Sequence, residues 1–182
     1  WNILTNGLPA NTQDGRIIVS TYEGNNDIVM CMVSNAFNTI DIYRSANKGA
    51  SWINVNSGDI ATWQGWYAKG LLIKPDDSSQ VLAGGVNMFY SSVSGNFMTQ
   101  LGNITQNVWD YHPDIHDIIS NPIDPDKIYI ITDGGLYRSD DFGNSFYACT
   151  DGYVTSQHYI GSVSTTDSFM VLSGLQDNNT IM

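Results

Sequence analysis

Apolar and polar residues alternate along this chain in short stretches, separated by turns rich in Gly, Asn, Asp, Ser and Pro. The stretch Thr39–Arg44 reads Thr-Ile-Asp-Ile-Tyr-Arg, and the turn Ser45–Gly49 follows it directly. A period of two places successive side chains on opposite faces of a β-strand, and closely spaced turns join such strands into sheets. The pattern therefore predicts an all-β fold.

The predicted strands fall into groups of four. The first group is Arg16–Tyr22, Asp27–Val33, Thr39–Arg44 and Ser51–Asn56. The second group is Lys69–Lys74, Gln80–Gly84, Met88–Ser91 and Asn96–Leu101. The third group is His116–Ser120, Lys127–Thr132, Gly135–Arg138 and Ser145–Thr150. Tyr159–Ser164 and Phe169–Gly174 begin a fourth group, whose third strand stops at Met182.

One turn recurs between the third and fourth strands of each group. Its copies at Ser45–Trp52 and Ser139–Phe146 both follow Tyr-Arg and fit the pattern Ser-x-(Asp/Asn)-x-Gly-x-Ser-aromatic. A degraded copy, which we take to be one residue shorter, lies at Ser91–Phe97. The three copies begin 46 and 48 residues apart. This period, with four strands per repeat, is typical of a β-propeller blade.

The residue types of this turn suit a tight hairpin. An acidic or amide side chain caps backbone N–H groups, Ser adds a second local hydrogen bond, and Gly supplies a conformation that other residues resist. The closing aromatic side chain can wedge between blades. We assign this structural role to Ser45, Asn47, Gly49, Trp52, Ser139, Asp141, Gly143 and Phe146.

We therefore predict that residues 1–182 are one segment of a propeller. The whole blades are residues 16–56, 69–101 and 116–150, residues 159–182 start a further blade, and residues 1–5 end a preceding one. Closed propellers have about four to eight blades, so further blades or domains are expected outside the segment. A self-contained closed ring is the alternative.

Composition excludes some partners and favours others. The net charge of −11 and the pI near 4.2 argue against binding to nucleic acid or an anionic membrane. No apolar run approaches the length of a membrane span. The composition favours a secreted protein. Cys31 and Cys149 are expected to be small buried side chains in strands of different blades, too far apart for a disulfide.

Strand topology sorts the candidate ligand-binding residues. In a four-stranded antiparallel blade, the loop that leads into the innermost strand and the loop between strands two and three lie at one end, opposite the repeated turns. That end collects all three histidines with acids, amides and aromatic residues. The candidates are Trp63, Trp66, Tyr67, Trp109, His112, His116, Gln157, His158, Gln176 and Asn178.

The run from His112 to His116 is the most specific candidate for metal binding or proton transfer. Its two histidines and Asp114 could supply metal ligands or a proton-transfer pair. Pro113 disfavours the helix that would align the histidines, and the alternative is that one of them hydrogen-bonds a neighbouring blade. We therefore assign no metal and no cofactor. The many oxygen ligands permit Ca²⁺, but no Ca²⁺-loop pattern is present.

Three aspartates are candidate catalytic acids or bases: Asp114, Asp133 and Asp177. Asp133 either faces the propeller channel or caps its own Asp-Gly-Gly turn. The run that contains Asp177 is similarly ambiguous, because its polar groups suit either sugar hydroxyls or buried hydrogen bonds between blades. The loop aromatics Trp63, Trp66, Tyr67 and Trp109 either stack on sugar rings or pack between blades.

The third repeat resembles a group of Asp-box (BNR-repeat), sortilin-like and glycosyl-hydrolase-like secreted bacterial proteins. The resemblance rests on an ordered series: His112/Asp114/His116, Asn121-Pro122, Asp133-Gly134-Gly135, Tyr137–Ser139, Asp141/Gly143, Gln157/Tyr159 and Gln176-Asp177-Asn178. The opening Asn6-Gly7-Leu8-Pro9 also looks like that group. The resemblance implies a propeller fold and, in the xyloglucan-cleaving members, a pair of catalytic aspartates across a cleft between two propellers. This segment shows no clear counterpart of that pair.

We expect an extracellular ligand-recognition propeller that binds a polysaccharide. The first alternative is a BNR-type glycoside hydrolase in which two of the three aspartates lie about 5–9.5 Å apart. The second is a protein-interaction or scaffold module of a larger surface assembly, since sortilin-type relatives bind peptides.

Overall fold

The computed structural model describes residues 4–9, 15–102, 110–153, 156–177 and 180–181. These residues form fifteen β-strands and no helix. The first sheet contains β1 (Ile17–Thr21), β2 (Val29–Ser34), β3 (Thr39–Ser45) and β4 (Ile53–Asn56). The second contains β5 (Gly70–Lys74), β6 (Asp77–Gly84), β7 (Met88–Ser91) and β8 (Thr99–Leu101). The third contains β9 (Ile115–Ser120), β10 (Ile128–Thr132), β11 (Gly135–Ser139) and β12 (Tyr147–Ala148). The last contains β13 (His158–Val163), β14 (Val171–Leu175) and β15 (Thr180–Ile181).

Each sheet is an antiparallel meander in which strands consecutive in sequence are hydrogen-bonded neighbours. We call the three four-stranded sheets blades 1, 2 and 3. The chain divides into two compact units, Trp1–Ala148 and Cys149–Met182. All three blades belong to the first unit, and the three-stranded sheet belongs to the second. The predicted all-β fold with four-stranded antiparallel blades is confirmed.

The core of the first unit lies between successive blades. In β6, Val81 and Ala83 pack against blade 1, in a cluster that includes Met30 and Met32. Leu82, between them in sequence, packs the other way, in a cluster with Ile115 and other residues of blade 3. Both faces of β6 are therefore buried, because a strand sends alternate side chains to opposite faces. The innermost strand β5 correspondingly contacts both β1 and β9.

The repeated turn has one backbone conformation in all three blades. A left-handed residue precedes a left-handed glycine each time, at Lys48-Gly49, Ser94-Gly95 and Phe142-Gly143. The hydroxyl of the first serine accepts hydrogen bonds from the backbone N–H groups two and four residues later. In blade 3 these bonds run from Asp141 at 3.2 Å and Gly143 at 2.8 Å to Ser139 Oγ.

The copy in blade 2 is not one residue shorter, and that prediction was wrong. Ser91 Oγ accepts from the N–H groups of Val93 at 3.2 Å and Gly95 at 3.1 Å, which is the spacing of the other copies. Strand β8 also begins four residues after Gly95, as β4 does after Gly49. Met98 therefore occupies the place of Trp52 and Phe146, and it packs against the blade 1–2 cluster, while Phe97 is exposed. The aromatic Phe97 lies one residue before that place, and this is why the sequence pattern predicted a shorter copy.

The fourth strands are shorter than predicted. Residues 96–98 and 145–146 belong to the repeated turns, so β8 and β12 begin only at Thr99 and Tyr147. Cys149 consequently follows β12 rather than lying within it, and it is half-buried instead of buried. Cys31 is buried in β2 as expected, and burial raises the pKa of its thiol to about 11.

Two further points concern the ends and the surface. Of the strand predicted within residues 1–5, residues 1–3 lie outside the described residues, and Leu4 and Thr5 are not in a strand. Across the described part of the chain, no helix has the length and hydrophobicity that crossing a membrane requires.

Candidate functional site

One end of the first unit brings together loops from all three blades. The turn between β2 and β3, the loop from β4 to β5, residues 110–114 before β9 and the turn between β10 and β11 all lie at the same end of the sheets, because the strands are antiparallel. The repeated turns lie at the opposite end. The loop end carries most of the candidate residues of the first unit.

Tyr67, His116 and Asp133 form a polar cluster at this end. Oδ1 of Asp133 accepts a hydrogen bond from the Tyr67 hydroxyl at 3.0 Å and lies 2.5 Å from Nε2 of His116. The rings of Tyr67 and His116 meet edge to face, with centroids 4.7 Å apart. The cluster joins blade 2 to blade 3, because Tyr67 leads into β5 whereas the other two residues belong to blade 3.

A β-bulge directs His116 toward Asp133. The pairing of β9 with β10 shifts between Ile131, opposite Asp117, and Thr132, opposite Ile115. His116 is therefore the extra residue of β9, and such bulges redirect side chains and recur beside active sites. The Thr132 hydroxyl holds the following turn by accepting from Gly134 N and donating to Gly135 O, both at 3.1 Å.

Tyr67 is held from the blade 1 side. Arg16 Nη1 donates to the Tyr67 carbonyl at 3.0 Å, and Tyr67 N donates to the carbonyl of Gln64 at 2.9 Å. The fully buried Lys69 donates through Nζ to the carbonyls of Arg16 and Met32. Burial, with a contribution from the Arg16 charge, lowers the pKa of Lys69 to about 8. Lys69 and Arg16 thus fix the backbone on which Tyr67 stands.

The cluster presents an oriented imidazole. A carboxylate only accepts hydrogen bonds, so the proton of the neutral His116 ring is assigned to Nε2, which faces Asp133. Nδ1 then points away as an acceptor and makes no hydrogen bond to any described residue. The His116 side chain is 28% exposed and that of Asp133 only 12% exposed. His116 can therefore hydrogen-bond a ligand hydroxyl or exchange a proton with it, while Asp133 orients the ring.

Exposed aromatic side chains flank the cluster. Trp66 is 60% exposed and leans on Tyr67, with ring centroids 5.0 Å apart. Trp63 is 73% exposed and meets Phe37, which is 57% exposed, at 6.3 Å in an edge-to-face contact. Phe37 was not among the sequence candidates. Its signal was an aromatic residue in an otherwise small and polar turn, Ser34-Asn35-Ala36-Phe37-Asn38.

His112 lies against the turn that carries Asp133. A Cβ added to Gly134 would come within 2.3 Å of Cβ and Cγ of His112, so only glycine fits there. The Nδ1 atom of His112 is 2.9 Å from the Pro113 carbonyl. Asp114 has a left-handed backbone with φ of 65°, and its N–H donates to the Val86 carbonyl of blade 2 at 3.1 Å.

The remaining candidates divide between the second unit and undescribed positions. In the second unit, His158 Nδ1 is 2.6 Å from Ser173 Oγ, and Gln176 N donates to the Gln157 carbonyl at 2.9 Å. Asp177 is exposed and left-handed, with φ of 57°. Trp109 and Asn178 lie outside the described residues. Among the residues that are described, no group of three or more His, Cys, Asp or Glu side chains could hold a metal ion.

No protein-family model matches the chain, and no curated protein matches it. Solved structures do match. The GH74 enzyme of Niastella koreensis superposes with a TM-score of 0.56 at 18% identity, over 88% of this chain and 26% of that protein. The GH74 xyloglucanase of Xanthomonas campestris gives 0.58 at 13% identity, over 87% and 26%. An ancestral GH74 enzyme gives 0.55 at 13% identity, over 93% and 23%.

The chain therefore spans about a quarter of the length of each of these three GH74 structures. Likeness at this low identity concerns the fold alone. Together with the four-stranded meanders, it shows that this chain folds as part of a β-propeller.

Proposed function

We propose that this chain is the carbohydrate-recognising part of an extracellular or cell-surface propeller. The observation that carries the proposal is the polar cluster of Tyr67, His116 and Asp133 with exposed Trp66 beside it. Indole faces stack on the C–H surfaces of sugar rings, and an oriented imidazole bonds their hydroxyl groups. Such a combination of an apolar platform and a few fixed polar groups is typical of a ligand site.

We assign the propeller to the Asp-box (BNR-repeat) group with sortilin-like and glycosyl-hydrolase-like secreted bacterial members. The support comes from the turns at Ser45 and Ser139, where the same serine, amide or acid, and glycine positions make the same hydrogen bonds. In both turns the third residue of the motif, Asn47 or Asp141, accepts from the N–H of the later serine, Ser51 or Ser145.

Xyloglucan is the first ligand to test, because one structural neighbour is a xyloglucanase. We expect the full chain to bind soluble xyloglucan in calorimetry. Trp66→Ala and His116→Ala should each weaken binding at least about tenfold, or about 1.4 kcal/mol. Phe97→Ala is the matched control, since Phe97 is an exposed aromatic residue at the opposite end. Equal affinity of all four proteins, each shown by circular dichroism to be folded, would refute the site.

Glycoside hydrolysis is the second candidate, and the GH74 neighbours favour it. Asp133 would then be one acid or base, with Asp114 of the same unit as the other. Release of reducing sugar that Asp133→Asn abolishes would establish the enzyme. Binding without release would leave recognition. Neither binding nor release, with a panel of polysaccharides, would leave the protein-interaction or scaffold function.

A further inference from the structure

We propose that Phe37 and Trp63 form a second sugar-stacking subsite, so that the ligand is an extended polysaccharide chain rather than a single terminal sugar. This inference rests on the proposed function. The two rings come from different segments, the turn between β2 and β3 and the loop from β4 to β5. Both remain largely exposed, although large aromatic side chains at a free surface cost solvation free energy.

The backbone that presents Trp63 is strained. Thr62 and Trp63 both have left-handed backbones, with φ of 43° and 70°, and this conformation is a genuine outlier for β-branched threonine. Asp59 holds the loop, since its Oδ1 accepts from Thr62 N at 3.1 Å and from Thr39 N at 2.9 Å. Strain that the surrounding structure maintains is characteristic of ligand sites. Here the strain leaves the Trp63 indole exposed to solvent.

The segment that carries Phe37 is locked to the same loop. Gly65 N donates to the Phe37 carbonyl at 2.7 Å. A Cβ at Gly65 would come within 2.3 Å of the Asn35 carbonyl oxygen, so the close approach requires glycine. Asn35 Oδ1 in turn accepts from Phe37 N at 2.8 Å and Asn38 N at 2.7 Å. Phe37 and Trp63 are therefore preorganised, which reduces the entropy lost on binding.

Each of the two segments also carries a buried acceptor next to its aromatic residue in sequence. The oxygens Asn38 Oδ1 and Gln64 Oε1 are buried and make no hydrogen bond within the described residues. Asn38 follows Phe37, and Gln64 follows Trp63. Buried acceptors without partners call for a donor. A buried water is the donor that fits here, and it would further fix the two segments that carry the aromatic rings.

The two subsites are within reach of one chain. Trp63 and Trp66 are three residues apart, which limits their Cα separation to about 11 Å. The loop from β4 to β5 thus carries one aromatic pair to Phe37 of blade 1 and, three residues later, a second set of ring contacts that reaches His116 of blade 3. An elongated glycan would bridge both, whereas a terminal sugar would use only one.

The test measures affinity as a function of chain length. Calorimetry with xyloglucan oligosaccharides of increasing length and with the polymer is run on the wild-type protein, Trp63→Ala, Phe37→Ala and the control Phe97→Ala. We expect wild-type affinity to rise with length. Trp63→Ala and Phe37→Ala should bind the shortest ligand normally but lose at least about fivefold affinity for the longest, while Phe97→Ala matches the wild type.

The outcomes separate the two proposals. If the polymer binds and Trp66→Ala and His116→Ala weaken it, but Trp63→Ala and Phe37→Ala keep the wild-type length dependence, the second subsite is wrong and the proposed function stands. If the wild-type protein binds no glycan of the series, both proposals fail for this class of ligand.

Discussion

His116 gains its place from a single extra residue in β9. Without the bulge, its side chain would follow the regular alternation of the strand, and the contact with Asp133 would be lost. Asp133 is expected to act as a positioning residue, because its carboxylate is mostly covered while the imidazole is more accessible. This division of roles, in which Asp133 orients the ring and His116 is accessible to a ligand, can be measured.

The tautomer of His116 tests that division. We expect ¹⁵N spectra of the wild-type imidazole at neutral pH to show the proton on Nε2, since that atom faces Asp133 Oδ1. Asp133→Ala should lower the fraction of this tautomer toward that of a free imidazole ring, whereas Tyr67→Phe should keep it and lower the free energy of unfolding by about 0.5–1.5 kcal/mol. A tautomer that does not respond to Asp133→Ala would contradict the assigned role.

The buried Lys69 should make the free energy of unfolding depend on pH. Its pKa falls from 10.5 to about 8 on folding, so between these values the unfolded chain holds a proton that the folded protein has released. The free energy of unfolding should therefore rise with pH in this window, by about 3 kcal/mol over the full shift. Lys69→Met should abolish this rise, as measured by urea denaturation over that pH range.

The wild-type protein must be compared with Lys69→Met over this pH range, because other groups also titrate there. The pKa of Cys31 is raised to about 11 and that of Tyr43 is raised as well, mainly by burial, and these groups destabilise the folded state as the pH rises. The contribution of Tyr43 is common to both proteins and cancels in the difference. The Lys69 charge also lowers the pKa of the Cys31 thiol, so the difference is compared below pH 9.0, the ordinary pKa of that group. Lys48→Met, at an exposed lysine, is the control and should retain the wild-type slope. A wild-type minus Lys69→Met difference that does not change with pH would contradict the prediction.

At the scale of elements, the turn in blade 2 has the backbone of the repeat without all its side chains. Val93 stands where Asp141 accepts from Ser145 N at 2.8 Å in blade 3. The conformation is nevertheless kept by the Ser91 hydroxyl and the left-handed Ser94-Gly95 pair. The backbone therefore tolerates the loss of the acid.

Restoring the acid should stabilise this turn. Val93 is exposed, so an aspartate fits, and in Val93→Asp its carboxylate can accept from the Phe97 N–H. We expect a gain of about 1 kcal/mol in the free energy of unfolding at neutral pH, compared with little change for Val93→Ala. Urea denaturation measures both. Unchanged stability of Val93→Asp would show that the acid does not contribute to this turn.

Lowering the pH should remove the stabilisation that Val93→Asp provides. In the natural copy, burial alone would raise the pKa of Asp141, but hydrogen bonds from Ser145 and Ser139 outweigh it and lower the pKa. The stabilisation by such a carboxylate is present above its ordinary pKa and is lost as the pH falls through the lowered value. The stability of Val93→Asp should approach that of Val93→Ala in acid.

The sequence was informative about elements and less so about the site. Period-two alternation and the repeated serine and glycine positions gave the strands, because both reflect local backbone geometry. The coupling of Tyr67 to Asp133 spans 66 residues and depends on how two blades pack, which no local pattern encodes. For the same reason, no local pattern decides whether Asp133 faces the channel or caps its own turn. Phe37 was missed because its meaning comes from Trp63, a residue of another loop.

At the scale of the whole first unit, Lys74 joins blades 2 and 3 at the end that carries the repeated turns. Its Nζ lies 2.7 Å from Asp126 Oδ1 and 5.3 Å from the centroid of the Phe142 ring. The side chain is largely buried, so this contact is less screened than a surface pair. Lys74 thus complements, at the opposite end, the link that Tyr67 makes between the same blades.

Removing this contact should loosen the packing of the two blades. We expect Lys74→Met to lower the free energy of unfolding by about 1–3 kcal/mol, because Asp126 loses its partner and Phe142 its cation. Lys48→Met removes only the exposed pair with Asp27 and should change stability by less than about 0.5 kcal/mol. Urea denaturation measures the free energy of unfolding of both variants. Equal decreases in the two would contradict an inter-blade role for Lys74.

The turn of blade 2 also has a consequence for counting repeats in related genomes. A search written for an acid or amide at the third position and an aromatic at the last would find two copies in this chain, while the backbone torsions reveal three. Sequence surveys of that kind will underestimate blade number wherever one copy has drifted as Val93 and Met98 have here. A pattern reduced to the first serine and the glycine four residues later would recover the drifted copy.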